Sequence, residues 1–313
     1  MKRISALVLT VAMVFLMSVS AFASFADMPQ GTDGEVLQKA VDNGLIQGFE
    51  DNTVRPNTPI TRAQMATIMS RAMKAEEVAD ISAFVDVKAG DWYYDAMAKA
   101  VQMKAFKGDD KKQLNPNNTI TRQEALIVLC RIFNVPEANS NALSVYSDGN
   151  TVADWAKKEV SSIAAAGYLG NISAIRPLDP MTRLEFAQIM DRMVTTYIDE
   201  PGEYTTLPAG NVLVRAEGVS FKGVKTNNVI FIGDGVKEEV GFTNCEVESM
   251  VIRGKKVVLY SGTYAWINAA GNGTELYLEK LPVDLVKKFE DGSRGKFKTT
   301  GENATIIPPG MSK

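Results

Sequence analysis

Three arginines recur at near-constant spacing in the sequence, each inside the phrase Ile/Met-Thr-Arg-x-Gln/Glu. Arg62, Arg122 and Arg183 are separated by 60 and 61 residues. Each would occupy the first position of a helix, where a cation opposes the positive end of the helix dipole. Helix N-termini present N–H donors that suit anions, and a guanidinium adds a planar fork that grips a carboxylate or a phosphate. Three repetitions of a locally unfavourable choice therefore indicate anion binding.

The residues around each arginine predict where the helix starts. A threonine at the cap accepts from exposed backbone N–H groups, and a Gln or Glu three residues later reaches back, which together form a capping box. A structural role for the arginines is the alternative, in which each pairs with an aspartate of a neighbouring unit, such as Asp86 or Asp148. The predicted capping boxes are Thr61 with Gln64, Thr121 with Glu124, and Thr182 with Glu185.

Tryptophans and aspartates stand early in the repeated units. Trp92 and Trp155 occupy matching positions just after Asp86 and Asp148, and Asp27 opens the first unit. A tryptophan face stacks on the apolar side of a sugar ring while neighbouring polar groups hold the sugar hydroxyls. The combination favours sugar binding, and burial of the tryptophans in a core is the alternative.

Each unit is predicted to be a helix, a loop and a second helix. Apolar residues at spacings i, i+3, i+4 and i+7 follow each arginine, which gives each second helix one buried stripe. One helix pair cannot bury such a stripe, so the three units are expected to pack around a common axis and to form grooves where they meet. A glycine precedes each loop, at Gly48, Gly108 and Gly170.

The second unit shows the repeated pattern most completely. It contains Phe84-Val85-Asp86-Val87, Trp92, Gly108, Asn115-Pro116 and Ile120-Thr121-Arg122-Gln123-Glu124. This pattern, present three times over about residues 25–197, resembles the S-layer homology family. The resemblance implies a pseudo-threefold helical prism whose inter-repeat grooves bind secondary cell-wall polymer, commonly through a pyruvylated amino sugar. It also implies that the three arginines meet the ketal carboxylate or its surroundings, while the tryptophans, the opening aspartates and the loop glycines line the grooves.

The units depart from the family pattern at a few positions. In the first unit, Thr32 stands where a tryptophan is expected and Gln64 replaces glutamate, so its groove is expected to be weak or empty. In the second unit, Lys104 stands where the other units have Gly44 and Gly167. The third unit has a shifted loop over residues 167–171.

The N-terminus indicates export. Lys2 and Arg3 precede an apolar run, and Ala21-Phe22-Ala23 supplies the small residues of a cleavage site, so residues 1–23 are predicted to be a signal peptide. No second apolar stretch approaches membrane-spanning length, which favours a secreted protein held at the cell wall or S-layer by something other than lipid. The predicted repeats are residues 24–80, 81–140 and 141–200.

After Asp199-Glu200-Pro201-Gly202 the pattern changes to short β runs separated by Gly and Asn. Residues 205–282 are predicted to form a short parallel β-helix of three or four rungs, with an open sandwich as the alternative. Residues 283–313 are expected to be a tail that begins with a short helix over residues 285–289 and continues as loose chain. The fold class is therefore multidomain: an all-α bundle followed by an all-β domain.

Composition excludes several kinds of site. The chain has no histidine, which removes Ser/His/Asp and Cys/His catalysis and the common zinc sites, so neither a metal nor a cofactor is predicted. Cys130 and Cys245 are far apart and are expected to be buried thiols. A formal charge of −3 leaves no basic field for nucleic acid.

Two functions compete for the whole chain. In the first, the repeats bind an anionic cell-wall polysaccharide and the β domain is displayed outward without enzymatic activity. In the second, the same anchor carries an enzyme that acts on polysaccharide, with its active site in the β domain. The acidic candidates for such a site are Asp234, Glu238, Glu239, Glu246 and Glu248. A third reading, in which the β domain binds another surface protein, has no sequence feature for or against it.

Overall fold

The structure, a computed structural model, describes residues 25–138, 140–279 and 297–308. Six helices are followed by two parallel six-stranded sheets, which confirms the predicted fold class and excludes the open sandwich. The predicted signal peptide and the predicted helix at residues 285–289 lie outside the described residues. Among the described residues, no helix is long and apolar enough to cross a membrane.

Each repeat contributes two helices to the bundle. The second helix of every repeat buries the stripe that the sequence predicts, with Met69, Leu129 and Met190 at most 1% exposed. The first helix of each repeat packs on the second helix of the preceding repeat, and α1 on α6 closes the ring. The helices are α1 (Thr32–Asp42), α2 (Arg62–Ala72), α3 (Tyr94–Gln102), α4 (Arg122–Ile132), α5 (Lys157–Ala165) and α6 (Arg183–Met193), with 3₁₀ turns at Ser140–Leu143 and Gly149–Thr151.

A closed triangle of backbone hydrogen bonds joins the repeats just before their second helices. The N–H of Ile60 donates to Met181 O (2.9 Å), that of Met181 to Ile120 O (2.9 Å), and that of Ile120 to Ile60 O (3.0 Å). The three side chains are completely buried on the bundle axis. The pseudo-threefold arrangement therefore places each arginine-bearing helix start against the next repeat.

Lys104 has a left-handed backbone conformation at a position where the other two repeats have glycine. It adopts φ of 59°, in the left-handed region, where the equivalent Gly44 and Gly167 have φ of 71° and 76°. Side chains other than glycine are strained there because Cβ approaches the backbone carbonyl. We expect Lys104→Gly to raise the free energy of unfolding by about 0.5–1 kcal/mol, measured by urea denaturation. Lys104→Ala is the matched control, since it keeps Cβ; an equal gain from alanine would contradict the explanation.

The C-terminal half is a parallel β-solenoid of two facing sheets. Every rung contributes one strand to each sheet, and all neighbouring strands are parallel. One sheet has the order β1-β3-β5-β7-β9-β11 and the other the order β12-β10-β8-β6-β4-β2. The strands are β1 (Thr196–Ile198), β2 (Gly202–Tyr204), β3 (Val212–Val214), β4 (Val219–Lys222), β5 (Lys225–Ile232), β6 (Glu239–Thr243), β7 (Cys245–Ile252), β8 (Lys256–Leu259), β9 (Gly262–Ala269), β10 (Glu275–Leu278), β11 (Phe297–Thr299) and β12 (Thr305–Ile307).

The solenoid is longer at both ends than the sequence predicts. Its first strand follows α6 after two residues, so Asp199-Glu200-Pro201-Gly202 lies within the first rung, and the change from helices to strands comes before it. The prediction of loose chain near the C-terminus is wrong for residues 297–307, because β11 pairs with β9 and β12 pairs with β10. Residues 205–282 contain four strands of each sheet, in agreement with the predicted three or four rungs, and the two further strands of each sheet lie outside that range.

One sheet of the solenoid buries both of its faces. Val214, Ile232 and Ile252 point into the solenoid core. Their neighbours Leu213, Phe231 and Val251 are stacked in register on the opposite face and belong to the core of the helical bundle. The rings of Phe231 and Phe133 meet edge to face with centroids 5.0 Å apart. Bundle and solenoid therefore share a continuous apolar core.

Two buried arginines complete this interface. Arg215 donates to Asp199 and to the carbonyl of Asn43 (3.0 Å), the C-cap residue of α1. Arg253 pairs with Asp234 (2.6 Å) and donates to Met103 O (3.3 Å), at the equivalent end of α3. Cations are favourable at helix C-termini, where backbone carbonyls lack partners. The solenoid thus caps helices of the bundle.

Both cysteines are buried, unpaired thiols, as the sequence predicts. Cys130 lies in α4, and burial raises the pKa of its thiol to about 12. Cys245 begins β7 and faces the solenoid core. Since the thiolate is the reactive form, both side chains are suited to packing.

Candidate functional site

The N-terminal N–H groups of the arginine-bearing helices are engaged by protein. In α2, Arg62 N donates to Asn118 O and Ala63 N to Pro116 O, both at 2.9 Å. Gln64 N donates to the Thr61 hydroxyl (3.2 Å), and Thr61 N donates to the side-chain oxygen of Gln64 (2.9 Å), which completes a capping box. The helices α4 and α6 repeat this arrangement on the loops of the third and first repeats. The expectation of free backbone donors at these helix starts is therefore wrong, and an anion bound there would have to be held by side chains.

The three arginines make one equivalent contact each, with the next repeat around the ring. Their Nε atoms donate to the carbonyls of Leu114, Ile175 and Val54 at 2.8, 2.6 and 2.6 Å. The accepting residues occupy the same position in the loop of each repeat. The donors are Arg62, Arg122 and Arg183, in that order. These side chains thus join neighbouring repeats.

Two of the arginines also form ion pairs with a capping glutamate. Arg62 lies 3.2 Å from Glu124, and Arg122 lies 3.1 Å from Glu185. Arg62 and Arg122 therefore pair with acidic residues of the neighbouring repeat, as the alternative of a structural role predicts. The partners, however, are the capping glutamates and not the opening aspartates. Arg122 is only 4% exposed. Arg122 therefore links repeat 2 to repeat 3 through contacts with Ile175 O and Glu185.

Arg183 has no such partner, because repeat 1 carries Gln64 where the others carry glutamate. Among the described residues, no carboxylate lies within 4.0 Å of its guanidinium, although the side chain is only 7% exposed. It donates to the carbonyls of Val54 and Gln47, and its guanidinium carbon lies 5.1 Å from the Phe49 ring centroid. Burial lowers the pKa of Arg183, and the negative charge of Asp27 opposes this shift.

The opening aspartates act as clamps within their own repeats. Asp86 accepts from the N–H groups of Leu114 (2.9 Å) and Asn115 (2.7 Å), one with each carboxylate oxygen. Asp27 and Asp148 make the same pair of hydrogen bonds to the loops of repeats 1 and 3. The second donor is held at positive φ each time, at Arg55, Asn115 and Arg176. The aspartates therefore shape the loops that receive the arginines.

The loop glycines provide room for packing. A Cβ on Gly48 would lie 1.9 Å from the Phe25 ring, and one on Gly108 would lie 2.1 Å from the Phe84 ring. Gly170 instead lies under the guanidinium of Arg192 and has φ of 67°. In repeats 1 and 2, an aromatic residue stands two positions before the opening aspartate. The glycine leaves room for its ring to lie against the loop.

A large cavity lies at repeat 2, with a volume of about 870 Å³. We call it the repeat-2 groove. Of the predicted site residues it brings together Arg62, Glu124, Gly108 and Trp155. It also contains residues that sequence reasoning missed, namely Lys107, Asp109, Asp110 and Arg131. Arg131 could have been found, because Arg71, Arg131 and Arg192 each follow a site arginine by nine residues.

Both tryptophans are on the surface, which rules out the alternative that they are core residues. Trp155 is 61% exposed and lines the repeat-2 groove. Trp92 is 67% exposed and contacts Tyr93 edge to face. The remaining predicted residues, Arg122 and Arg183 among them, lie outside the repeat-2 groove. Within the described residues, no cluster of Cys, Asp and Glu is arranged to hold a metal ion.

Comparison with known proteins agrees with this geometry. The family model described as "S-layer homology domain" matches residues 24–66, 83–126 and 145–187. The Surface-layer 125 kDa protein of Lysinibacillus sphaericus is 32% identical over 211 residues, which cover 66% of this chain and 16% of that protein. The S-layer protein EA1 of Bacillus anthracis is 26% identical over 261 residues, 76% of this chain and 30% of that protein.

A relative that is named as an enzyme also matches part of this chain. The Exoglucanase XynX of Acetivibrio thermocellus is 28% identical over 173 residues, 53% of this chain and 16% of that protein. The chain therefore spans less than a third of the length of these relatives. The domains and the S-layer relatives indicate a secreted, cell-surface protein attached to the cell envelope. The chain is an S-layer homology domain protein, in which three tandem repeats precede a β-solenoid.

Proposed function

We propose that this chain is held on the cell wall by binding an anionic polysaccharide in the repeat-2 groove. The observation that carries the proposal is the 870 Å³ cavity in which Arg62, Lys107 and Arg131 share one surface with an exposed tryptophan. The volume is in the range of cavities that hold small ligands, and this one is large enough for a sugar unit. The three cations can hold the carboxylate of an acidic sugar, such as a pyruvylated amino sugar, and the aromatic wall can hold its ring, although Asp109, Asp110 and Glu124 also line the groove.

Each group in the groove has a distinct task in this proposal. The face of Trp155 stacks on the apolar side of the sugar ring. Lys107 supplies a cation for the carboxylate, together with Arg131, which also lies 3.4 Å from Glu159. Asp109 and Asp110 accept hydrogen bonds from hydroxyls or an amide. Arg62 is oriented by Leu114 O and Glu124 and lies 4.9 Å from the Phe106 ring centroid, so its position is set before ligand arrives.

Attachment to a wall also benefits from repetition. A single charge-assisted contact contributes about 1.5–3 kcal/mol, which alone gives weak binding. A polymer that presents many identical sugars can engage more than one groove or more than one protein molecule. Such multivalency raises the apparent affinity by about 10² to 10⁴.

We propose a non-enzymatic role for the solenoid, as a rigid extension of the anchor. Its shared core and buried Arg215 and Arg253 contacts hold it in a defined orientation on the bundle. Three of the five acidic residues considered for an active site form ion pairs instead. These pairs are Asp234 with Arg253, Glu239 with Lys256, and Glu246 with Lys225.

Trp155→Ala tests the proposal. In cosedimentation with purified cell walls, the variant of residues 24–313 is expected to lose about tenfold in retention, because about 1.4 kcal/mol of stacking is removed from an exposed site. Walls from which the pyruvate has been stripped are expected to retain the wild type equally poorly.

The control is Val78→Ala, which truncates another exposed apolar side chain (54% exposed) outside the groove. Circular dichroism checks that both variants keep their helices. Full retention of Trp155→Ala on native walls, with helices intact, would show that the repeat-2 groove is not the binding site.

A further inference from the structure

The second sheet of the solenoid has an outer face whose residues do not belong to the core of the bundle. Val257 and Leu259 point into the solenoid core, so Val258 between them points outward. Gly241 and Tyr277 are the neighbours of Val258 in register across β6 and β10. None of these three outward residues is part of either apolar core. The sheet therefore presents a surface of its own.

Tyr260 lies across this surface. It directly follows β8, and its hydroxyl donates to Glu239 at the start of β6. To reach that carboxylate the ring crosses β6 at Gly241, where a Cβ would lie 3.1 Å from Tyr260 Cε2. Tyr260 is 38% exposed, so one side of the ring meets the glycine backbone and the other meets solvent. Glycine inside a strand weakens it and often marks a place where a ligand approaches closely.

Tyr277 supplies a second ring on the same face. Its hydroxyl donates to Glu275 (2.7 Å), two residues earlier in β10, so the ring lies along its own strand. Only β8 lies between β6 and β10, which places the two rings about 10 Å apart, or two strand spacings. Lys256 of β8 stands between them and pairs with Glu239 (2.9 Å). We call the surface formed by Glu239, Gly241, Lys256, Tyr260 and Tyr277 the tyrosine face.

Hydrogen bonds fix both rings before any ligand arrives. The bond to Glu239 raises the pKa of Tyr260 to about 12, so the phenol stays protonated and remains a donor at neutral pH. Lys256 Nζ lies 5.2 Å from the centroid of the Tyr277 ring and adds a further contact. A ligand that stacks on a fixed ring loses less side-chain entropy on binding. The tyrosine face is thus already ordered for an aromatic contact.

The charges around the two rings indicate which ligand fits. Glu239 and Glu275 flank one cation, Lys256, in register across three strands, and the exposed Glu279 follows β10. This acidic excess repels an anionic polymer. Carboxylates accept hydrogen bonds from hydroxyl groups, and the lysine donates them. A ligand with apolar ring faces, many hydroxyl groups and no charge therefore matches the tyrosine face.

We propose that the tyrosine face is a binding site for an uncharged β-1,4-linked glycan, with one sugar stacked on each tyrosine. Alternate sugars of such an extended chain present the same face, and their spacing is close to that of the two rings. Glu239, Glu275 and Lys256 hold the hydroxyls of the chain. The inference goes beyond the proposed function, because every residue of this site lies in the solenoid.

Calorimetric titration of cellohexaose and of N-acetylated chitohexaose into residues 24–313 tests the proposal. We expect the wild type to bind at least one of them, and Tyr260→Ala and Tyr277→Ala each to lose about tenfold in affinity, because one stacked sugar is removed. Gly241→Val keeps both tyrosines but fills the space beneath the Tyr260 ring, so a similar loss is expected. The control is Lys225→Ala, at a 70% exposed side chain of the other sheet, which is expected to bind as the wild type does.

The outcomes distinguish the tyrosine face from the repeat-2 groove. Failure of the wild type to bind either hexasaccharide would overturn the proposal, as would wild-type affinity in Tyr260→Ala and Gly241→Val with unchanged circular dichroism. If Trp155→Ala lost the hexasaccharide while Tyr260→Ala kept it, the sugar would occupy the repeat-2 groove, and the tyrosine face would be refuted. Loss of the hexasaccharide in the tyrosine variants, with full retention of the same variants on purified walls, would establish a second and separate site.

Discussion

Phe231→Ala is expected to lower the free energy of unfolding by about 3–4 kcal/mol, although Phe231 lies on the outer face of a solenoid sheet. The side chain is 3% exposed and packs edge to face on Phe133 of the bundle. Truncating it leaves a cavity between two rigid surfaces, a helix end and a sheet, which cannot collapse to fill it. Urea denaturation, followed by circular dichroism and by tryptophan fluorescence, measures the loss.

The same experiment tests whether the two halves unfold together. Trp92 and Trp155 report on the bundle and Trp266 on the solenoid, where it packs against the helical core. A shared core predicts one coincident transition for the wild type. Tyr260→Ala, which removes a 38% exposed aromatic directly after β8 of the other sheet, is the control and is expected to cost far less. Separate transitions, or a loss below about 1 kcal/mol for Phe231→Ala, would contradict the shared core.

Asp86→Ala is expected to cost about 3 kcal/mol of stability and also to weaken polysaccharide binding. Its carboxylate accepts two backbone N–H groups, and each hydrogen bond to a charged group contributes about 1.5–3 kcal/mol. Without it, Leu114 N and Asn115 N lose their acceptors, and Asn115 is no longer held at its φ of 54°. Thermal and urea denaturation measure the stability.

Binding depends on the same clamp through the loop that it shapes. The carbonyl of Leu114 orients Arg62, so a displaced loop misplaces the guanidinium that lines the repeat-2 groove. Asp86→Asn keeps one acceptor oxygen and is expected to lose about half as much stability. Asp95→Ala is the control, because that carboxylate is 69% exposed and, among the residues that the structure describes, forms an ion pair only with Lys99 of the same helix. If Asp86→Ala proved as stable as Asp95→Ala, the clamp would have no structural importance.

The repeats were predictable because their signals are local. A Thr-Arg-x-Glu phrase followed by an i, i+3, i+4, i+7 stripe defines a capped amphipathic helix without knowledge of the rest of the chain. The β-solenoid was recognisable from short β runs separated by Gly and Asn. Its extent was not, because β11 and β12 are three residues long and are identified only by the strands with which they pair.

The partners of the site residues were less predictable. The alternative to anion binding paired the arginines with aspartates of neighbouring units, but the aspartates bind backbone, and Arg62 and Arg122 meet glutamates from the caps. Both kinds of carboxylate are plausible partners in sequence, since charge alone does not distinguish them. The cyclic packing of the repeats decides the pairing, because it brings the start of each second helix against the cap of the next.

The amino-acid sequence by itself determined the three helix pairs, the change to β structure after the third pair, and the position of Arg62, Arg122 and Arg183 at helix starts. These follow from periodicity and capping, which act over a few residues. Only the tertiary structure decided that Leu213, Phe231 and Val251 join the bundle core, that the helix-start N–H groups are occupied, and that Arg183 lacks a carboxylate. Each of these features depends on contacts between segments that lie more than fifty residues apart in the sequence. Local patterns carry no information about which distant segments come into contact.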